Sequence, residues 1–342
     1  MSRDAAPAAA PAVAPAARAA RPPFGAAAPA VIFLALALAP PLIAWTGQGH
    51  WLSLATRIVI YGVAALSLDL ILGVGGLVSF GHAAFVGLGA YATGILIEHG
   101  RGDLLIVVPA ALAVCAVFAA FTGAVSLRTK GVAFIMITLA FGQMAYFFSQ
   151  ALYAYGGDDG LTLSARSTLA GLPLLKNKTV FFYLCLAVLA ASYGLVRRIV
   201  GSSFGRVLQG ARDNPVRVAS FGYEVMRVRL AAYVISGMIG GLSGVLLANH
   251  AEFVSPAYMA WQRSGELIFM IIIGGLGSLW GAIVGAAAFL LLEEGLADLS
   301  EHWKLGFGAL IVLFVLFTRG GLAQLAERLV RGRAGENGGN PA

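Results

Sequence analysis

The sequence predicts an all-α protein, a polytopic transmembrane helical bundle with about ten spans. Hydrophobic residues make up 59% of the 342 residues and charged residues only 11%, whereas a soluble domain carries about 25% charged residues. Mean hydropathy is +0.84. Apolar segments follow one another along the chain, and several approach the roughly 18 residues that cross a bilayer. A basic stretch, residues 197–229, interrupts them.

Ten apolar segments are the expected membrane helices, and they cover residues 28–46, 56–73, 80–97, 104–126, 132–153, 179–196, 230–249, 265–279, 281–295 and 305–318. The eighth and ninth segments are short and are joined by a glycine-rich turn. A broken or re-entrant pair therefore remains an alternative for them, provided that the pair is buried in protein or lines a cavity. The membrane domain covers residues 28–320. The Ala/Pro-rich residues 1–27 are expected to form a disordered cytoplasmic tail, and residues 321–342 a second cytoplasmic tail.

The distribution of positive charge predicts that both termini are cytoplasmic. This orientation places 16 of the 23 lysines and arginines on the cytoplasmic side, where loops of membrane proteins concentrate them. The net charge of +7 then reflects membrane orientation, and nucleic-acid binding is not expected. Cys115 and Cys185 both lie inside apolar segments without metal-ligand or disulfide spacing, so we interpret them as packing residues.

Two glycine-rich stretches resemble each other. Residues 75–81 (GGLVSFG) and residues 274–280 (GGLGSLW) each follow a span that runs inward and precede one that runs outward. Transporters are often built from such repeats, and here the two units would be parallel. Chance similarity is the alternative in a chain with 44 glycines. A second glycine pattern, Ser236, Gly240 and Gly244, predicts a close helix–helix contact on the seventh segment.

Few ionisable residues lie inside the spans. Asp69 either lines a polar path or lies near the cytoplasmic end of the second span, and the sequence leaves both interpretations open. His82 has small neighbours, which favours a hydrogen bond from its ring to a backbone carbonyl over proton transfer. We find no phosphate-binding loop, acid/base pair or metal-ligand pattern, so the chain is not expected to be an enzyme. Asp69 is the main residue that supports the alternative hypothesis of an ion-coupled secondary transporter.

The basic stretch has a helical pattern. It holds seven arginines against two acids, Asp213 and Glu224. Apolar residues at helical spacing predict a first amphipathic helix, which Asn214 and Pro215 interrupt. A second short helix is expected from Val216 to Phe221, with Gly222 ending it in a left-handed conformation. The stretch is interpreted either as a docking element for a partner or as a solvated loop on anionic lipid.

Five stretches, in order, resemble the inner-membrane permeases of ATP-binding-cassette importers for branched-chain amino acids, the LivM type. They are residues 79–91 (SFGHAAFVGLGAY), 138–142 (TLAFG), 156–161 (GGDDGL), 203–214 (SFGRVLQGARDN) and 274–281 (GGLGSLWG). The resemblance covers roughly residues 55 to 320. Each stretch alone has modest specificity, and the ordered set is far more specific.

The resemblance implies a permease subunit that moves solute across the bacterial inner membrane by alternating access. Its implied partners are a periplasmic solute-binding protein, a second related permease subunit and two cytoplasmic ATPase subunits. ATP would be bound by those ATPase subunits, and no cofactor is expected on this chain. The implied ATPase-coupling residues are Phe204, Gly205, Arg206, Arg212, Asp213, Asn214 and Gly222. The residues expected along the translocation path are Asp69, Ser79, His82, Gly274 and Gly275.

The chain departs from the family pattern after Asn214. Relatives often carry an acid at this place, whereas Pro215 and Arg217 follow here, so the local contact to an ATPase is expected to differ in charge. Branched-chain amino acids are the expected solutes. Urea or short amides are the alternative within the family, and ion-coupled secondary transport is the alternative outside it.

Overall fold

A computed structural model describes residues 27–46, 49–297, 303–317 and 320–325. It contains twelve α-helices: α1 Ala27–Thr46, α2 Gly49–Asp69, α3 Ala83–Glu98, α4 Leu104–Ser126, α5 Val132–Gln150, α6 Lys178–Gly201, α7 Ser203–Asp213, α8 Pro215–Ser220, α9 Val225–Ala251, α10 Trp261–Gly274, α11 Leu279–Ala297 and α12 Trp303–Phe317. A pair of two-residue strands, β1 (Leu161–Thr162) and β2 (Phe253–Val254), is antiparallel. The all-α prediction is confirmed. Most of the two predicted tails, residues 1–26 and 326–342, lies outside the described residues, whereas residues 321–325 at the start of the second predicted tail are helical.

Ten of these helices coincide with the ten apolar segments. Six helical stretches in the described part of the chain are long and apolar enough to cross a membrane: Gly49–Val74, Leu104–Ser126, Val132–Gln150, Lys178–Gly201, Val225–Ala251 and Leu279–Ala297. Three further apolar stretches of the described chain, Ala28–Ile43, Ala83–Glu98 and Leu305–Phe314, are shorter, so the count of about ten spans stays a prediction. The orientation of the termini and the internal repeat also stay predictions.

Helix α2 is the central helix of the bundle. In the most apolar 18-residue window of α2 and its π-helical extension, 89% is buried, whereas the buried share of the corresponding windows of α4 and α5 is 28%. It contacts α6, α9, α10 and α11. A helix that is apolar on all sides can be buried on all sides, and Val59, Val63 and Leu66 have no exposed surface. The helix then continues as a π-helix, Leu70–Val74.

Helices α3 and α10 are too short to cross the hydrocarbon core of a membrane. Their 16 and 14 residues span about 24 and 21 Å at 1.5 Å per residue, less than the roughly 30 Å hydrocarbon core. The non-helical residues 75–82 precede α3, and a 3-10 helix, Pro256–Met259, precedes α10. The sequence predicted a third span from residue 80, whereas α3 begins at Ala83. The amides of Gly75, Gly76 and Leu77 bond back to the π-helix, whereas those of Phe80 and Ala83 bond to other helices.

Two hydroxyl groups on other helices accept hydrogen bonds from this backbone. The Phe80 amide donates to Thr138 Oγ1 over 3.2 Å, and the Ala83 amide donates to Ser264 Oγ over 3.0 Å. Irregular backbone is tolerated at membrane depth only where protein satisfies it. Side chains of α5 and α10 therefore make the broken third helix possible.

Glycines allow α9 to pack closely against its neighbours. A Cβ on Gly244 would overlap the Val86 carbonyl, and one on Gly240 would lie 3.3 Å from His82 Nε2. Ser236 Oγ donates to the Ser67 carbonyl oxygen of α2. The predicted contact face of Ser236, Gly240 and Gly244 is thus confirmed, and it meets both α2 and α3.

We expect Gly244→Ala to lower the free energy of unfolding by about 1–3 kcal/mol, because the new methyl group would force α9 away from the α3 backbone. The matched control is Gly194→Ala in α6, where nothing lies within 4 Å of the new Cβ. That control is expected to be neutral or slightly stabilising. Thermal unfolding in detergent measures both variants, and equal stability of the two would contradict this packing account.

Candidate functional site

The basic stretch forms two short helices, as predicted. Ser202 caps α7 by accepting from the Gly205 amide over 3.3 Å, and Asn214 caps α8 by accepting from the Arg217 amide over 3.0 Å. Pro215 is the first residue of α8, a position that needs no backbone donor. Helix α8 begins and ends one residue earlier than predicted. Gly222 has φ of +84°, which confirms the left-handed ending.

The inner face of α7 packs against the bundle. Leu208 is fully buried in a cluster with Val74 and Ala232, and Phe204 packs against this cluster. A Cβ on Gly205 would overlap the last turn of α6. Helix α7 is therefore in contact with the π-helix that follows α2 and with the start of α9. We call the end of the bundle that carries α7 and α8 the coupling end.

Arg212 turns toward the bundle. Its guanidinium donates to the Gly73 carbonyl oxygen, and its aliphatic stem packs on Gly76. On α9, Arg229 Nη2 donates to the Ala211 carbonyl oxygen over 2.6 Å, so α7 is bonded from both sides. The sequence assigned Arg212 to ATPase docking, and that role stays a prediction. The structure adds a contact within the chain that the sequence did not indicate.

The other predicted coupling residues lie at the surface. Asp213 and Asn214 are exposed, as is Gly222. Arg206 is also exposed, and its Nη1 donates to the Gly201 carbonyl oxygen over 3.2 Å.

Asp69 joins the end of α2 to the second glycine-rich stretch. It is fully buried, and its Oδ1 accepts from the Gly277 amide over 2.9 Å. A side chain on Gly73 would overlap both the Asp69 carboxylate and the Gly277 backbone. The second carboxylate oxygen has no hydrogen-bond partner among the described residues. Arg212 is the charged group that interacts with this carboxylate.

This geometry refines the two interpretations of Asp69. The π-helix extends α2 beyond it to Val74, so Asp69 does not end the helix. It lies at a junction of α2, the α10–α11 turn and Arg212. The π-helix that precedes the first glycine-rich stretch is a neighbour of the second stretch, because Gly73 contacts Gly277.

His82 belongs to a separate buried cluster. It has no exposed surface, and its Nε2 lies 2.8 Å from Ser67 Oγ. Because the Ser67 hydroxyl donates to the Ala64 carbonyl oxygen over 2.7 Å, His82 Nε2 carries the proton and donates to Ser67. The prediction of a backbone-carbonyl partner was wrong, since the partner is a hydroxyl on α2. The Nδ1 atom has no partner among the described residues.

The remaining predicted path residues make close backbone contacts. Ser79 is fully buried in the non-helical stretch before α3. A Cβ on Gly274 would overlap the Gly281 carbonyl, and Gly275 has φ of +112° with Gly320 beside it. Their contribution to a translocation path stays a prediction.

Sequence reasoning missed several residues that hold this site together. Ser67 and Gly73 flank Asp69 in α2 and its π-helix, Thr138 and Ser264 bind the stretch before α3, and Arg229 binds α7. Thr138 and Gly277 do fall within stretches that carry the family resemblance. Ser264 and Arg229 had no local signal, because their partners are 181 and 18 residues away along the chain.

The fold and the site define a polytopic helical membrane protein. It has two short helices, α3 and α10, and a pair of surface helices, α7 and α8, packed on one end of the bundle. The chain belongs to the family of branched-chain amino acid transport system permease components, whose family model matches residues 51–316. That family comprises transport components, which agrees with the prediction that the chain is not an enzyme.

Two relatives are similar over most of the chain. The high-affinity branched-chain amino acid transport system permease protein LivM of Salmonella typhimurium is 25% identical over 312 residues, covering 84% of this chain and 73% of the relative. LivM of Escherichia coli has the same identity and coverage. The autoinducer 2 import system permease protein LsrC of an Enterobacter species is 29% identical over 252 residues, 71% of each chain. No solved structure matches the chain.

Proposed function

We propose that this chain is the transmembrane subunit of an ATP-driven importer of branched-chain amino acids. The family and the two LivM relatives support this solute class. The similarity to LsrC, which is named for autoinducer 2 import, shows that related permeases serve other small solutes. A different small solute, including urea or a short amide, is therefore the second candidate.

The observation that carries the proposal is the outer face of the α7–α8 pair. Val216, Phe221 and Tyr223 have 76%, 74% and 51% of their surface exposed. Phe221 and Tyr223 border a groove of about 290 Å³ that also contacts Arg206. Apolar side chains grouped on a protein surface mark interaction sites. Since the inner face of α7 is already bonded to the bundle, the outer face is available to an ATPase subunit.

The contacts behind α7 supply a route for coupling. ATP-driven closure of two ATPase subunits would move α7 as a rigid body. Leu208 would pass that movement to Val74, and Arg212 would pass it to Gly73. Asp69 then connects the π-helix to the α10–α11 turn through Gly277. Helix α10 ends at this turn, and helix α3 follows the non-helical stretch after the π-helix, an arrangement that resembles the broken helices at transport sites.

The proposal includes the other components of such an importer. A periplasmic binding protein would supply the solute, and a second related permease subunit would complete the pore in the inner membrane. ATP would bind only to the partner ATPases. Ion-coupled transport receives less support, because one oxygen of the Asp69 carboxylate is occupied by a structural hydrogen bond.

Reconstitution with the neighbouring permease, ATPase and binding-protein subunits tests the proposal. We expect ATP-dependent uptake of radiolabelled leucine into proteoliposomes. Phe221→Asp is expected to reduce ATPase co-purification and uptake by about tenfold or more, because a charge would be buried in an apolar interface.

The matched control is Tyr153→Asp, which alters another highly exposed aromatic residue on the loop between α5 and β1. It should leave ATPase co-purification unchanged. Normal co-purification of Phe221→Asp would exclude α8 as the docking element. Uptake of another solute in place of leucine would exclude the amino-acid assignment.

A further inference from the structure

A polar pocket lies at the end of the bundle opposite the coupling end. It has a volume of about 150 Å³ and lies between the first turns of α2 and α6 and the last turn of α9. Its polar walls come from Ser53, Arg166, Lys178 and His250, and Phe181 forms an apolar wall. The coupling mechanism described above uses none of these residues.

Arg166 is held rigidly in this pocket. Its Nε donates to Glu252 Oε1 over 2.8 Å, and its Nη1 donates to the Leu175 carbonyl oxygen over 3.1 Å. The guanidinium lies 5.3 Å from the centre of the Phe181 ring, and only 11% of the side chain is exposed. A guanidinium has five N–H donors. Nη2 makes no hydrogen bond to the described residues and remains available to a ligand.

His250 and Lys178 complete a set of nitrogen donors. The His250 ring stacks on Phe181, with centroids 6.3 Å apart and planes 9° apart, and its Nε2 lies 3.3 Å from Ser53 Oγ. Lys178 is the first residue of α6, where the helix dipole adds positive potential. Its ammonium forms no ion pair with the described residues, unlike Arg166.

The balance of charge in the pocket is positive. Glu252 is the acid paired with Arg166, and half of its side chain is exposed. Arg166, Arg57 and Lys178 act on His250 electrostatically and Glu252 opposes them, while Arg57 is itself paired with Glu293. A pocket with several fixed donors and one paired acid attracts an anion. Planar guanidinium donors favour a carboxylate in particular.

We propose that this pocket binds the carboxylate of a small aliphatic acid or amino acid. Arg166 Nη2 and Lys178 would hold the carboxylate, and Phe181 and Leu52 would contact the aliphatic carbons. A volume of 150 Å³ is well below the roughly 300–1,000 Å³ of pockets for drug-sized ligands, so the occupant has only a few carbons. The inference rests on the proposed function in one respect, which is that the carboxylate in the pocket belongs to the transported solute.

Binding to the full chain in lipid nanodiscs with its partner permease, but without ATPase or binding protein, tests this proposal. The probes are isovalerate and 3-methylbutan-1-ol, which share a carbon skeleton and differ in the carboxylate. Saturation-transfer NMR is expected to show saturable binding of isovalerate and none of the alcohol. Lys178→Gln should weaken isovalerate binding by about fivefold, the effect of one exposed ion pair. Lys178→Glu should abolish it.

Lys176→Gln is the matched control, because Lys176 is an exposed lysine on the neighbouring 3-10 helix and does not line the pocket. It should bind isovalerate normally. Equal binding of the alcohol, or unchanged binding in Lys178→Gln and Lys178→Glu, would overturn the proposal. Isovalerate binding that requires the binding protein would also overturn it. Since no ATPase is present, failed leucine uptake or failed ATPase docking leaves this measurement unaffected.

Discussion

Asp69→Ala is expected to destabilise the protein by about 1–3 kcal/mol and to abolish uptake. The substitution removes the acceptor of the Gly277 amide in a fully buried site, and an unsatisfied buried donor costs about that much. It also removes the negative charge that faces Arg212. Thermal unfolding in detergent and uptake by the reconstituted importer measure the two effects.

Asp69→Asn separates the structural contact from the charge. An asparagine keeps an oxygen that can accept from Gly277, so folding and expression are expected to be near normal. If Asp69 acts only as a hydrogen-bond acceptor, uptake persists in this variant. Loss of uptake by a stable Asp69→Asn protein would show that the charge itself acts in transport. Wild-type stability of Asp69→Ala would refute the structural role.

Arg212→Gln is expected to uncouple ATP hydrolysis from transport. ATPase subunits should still co-purify, because Arg212 faces Gly73 and Gly76 of the bundle, while the exposed face of α8 is unchanged. Uptake should fall by about tenfold or more, since a charge-assisted hydrogen bond between α7 and the π-helix is lost. The measurements are ATP hydrolysis and leucine uptake on the same proteoliposomes.

Arg128→Gln provides the control for this variant. Arg128 is an exposed arginine on the α4–α5 connection and lies outside the coupling segment. Its replacement should leave both activities unchanged. Loss of ATPase co-purification in Arg212→Gln would instead support the docking role that the sequence assigned to this residue. Normal uptake in Arg212→Gln would exclude the transmission route through Gly73.

Local pattern predicted the helices well, and it failed where backbone groups find distant partners. The ten apolar segments coincide with ten helices, and Asn214-Pro215 separates α7 from α8 as expected, because these features depend on neighbouring residues. The start of α3 was wrong by three residues. Its preceding backbone bonds to Thr138 and Ser264, and no window around residue 80 contains either residue.

The candidate site shows the same division. The sequence identified Asp69 and His82 as unusual, since charged and polar groups are costly among apolar spans, and the family resemblance pointed to Arg212. The sequence did not indicate which groups these residues form hydrogen bonds with. His82 bonds to the Ser67 hydroxyl, Arg212 bonds to the Gly73 carbonyl, and each pairing depends on how helices pack.

By itself, the sequence determined that this protein is an all-α membrane protein, where its helices lie and that a basic helix pair interrupts them. Hydropathy, helix caps and the ordered stretches of family resemblance are local properties, so they can be read without a fold. Only the tertiary structure decided that Asp69 joins α2 to the Gly277 turn and that Arg212 bonds to the Gly73 carbonyl. It also formed the pocket around Arg166 and Lys178. The physical reason is that each buried polar group must find a partner, and the packing of distant helices determines which partner is within reach.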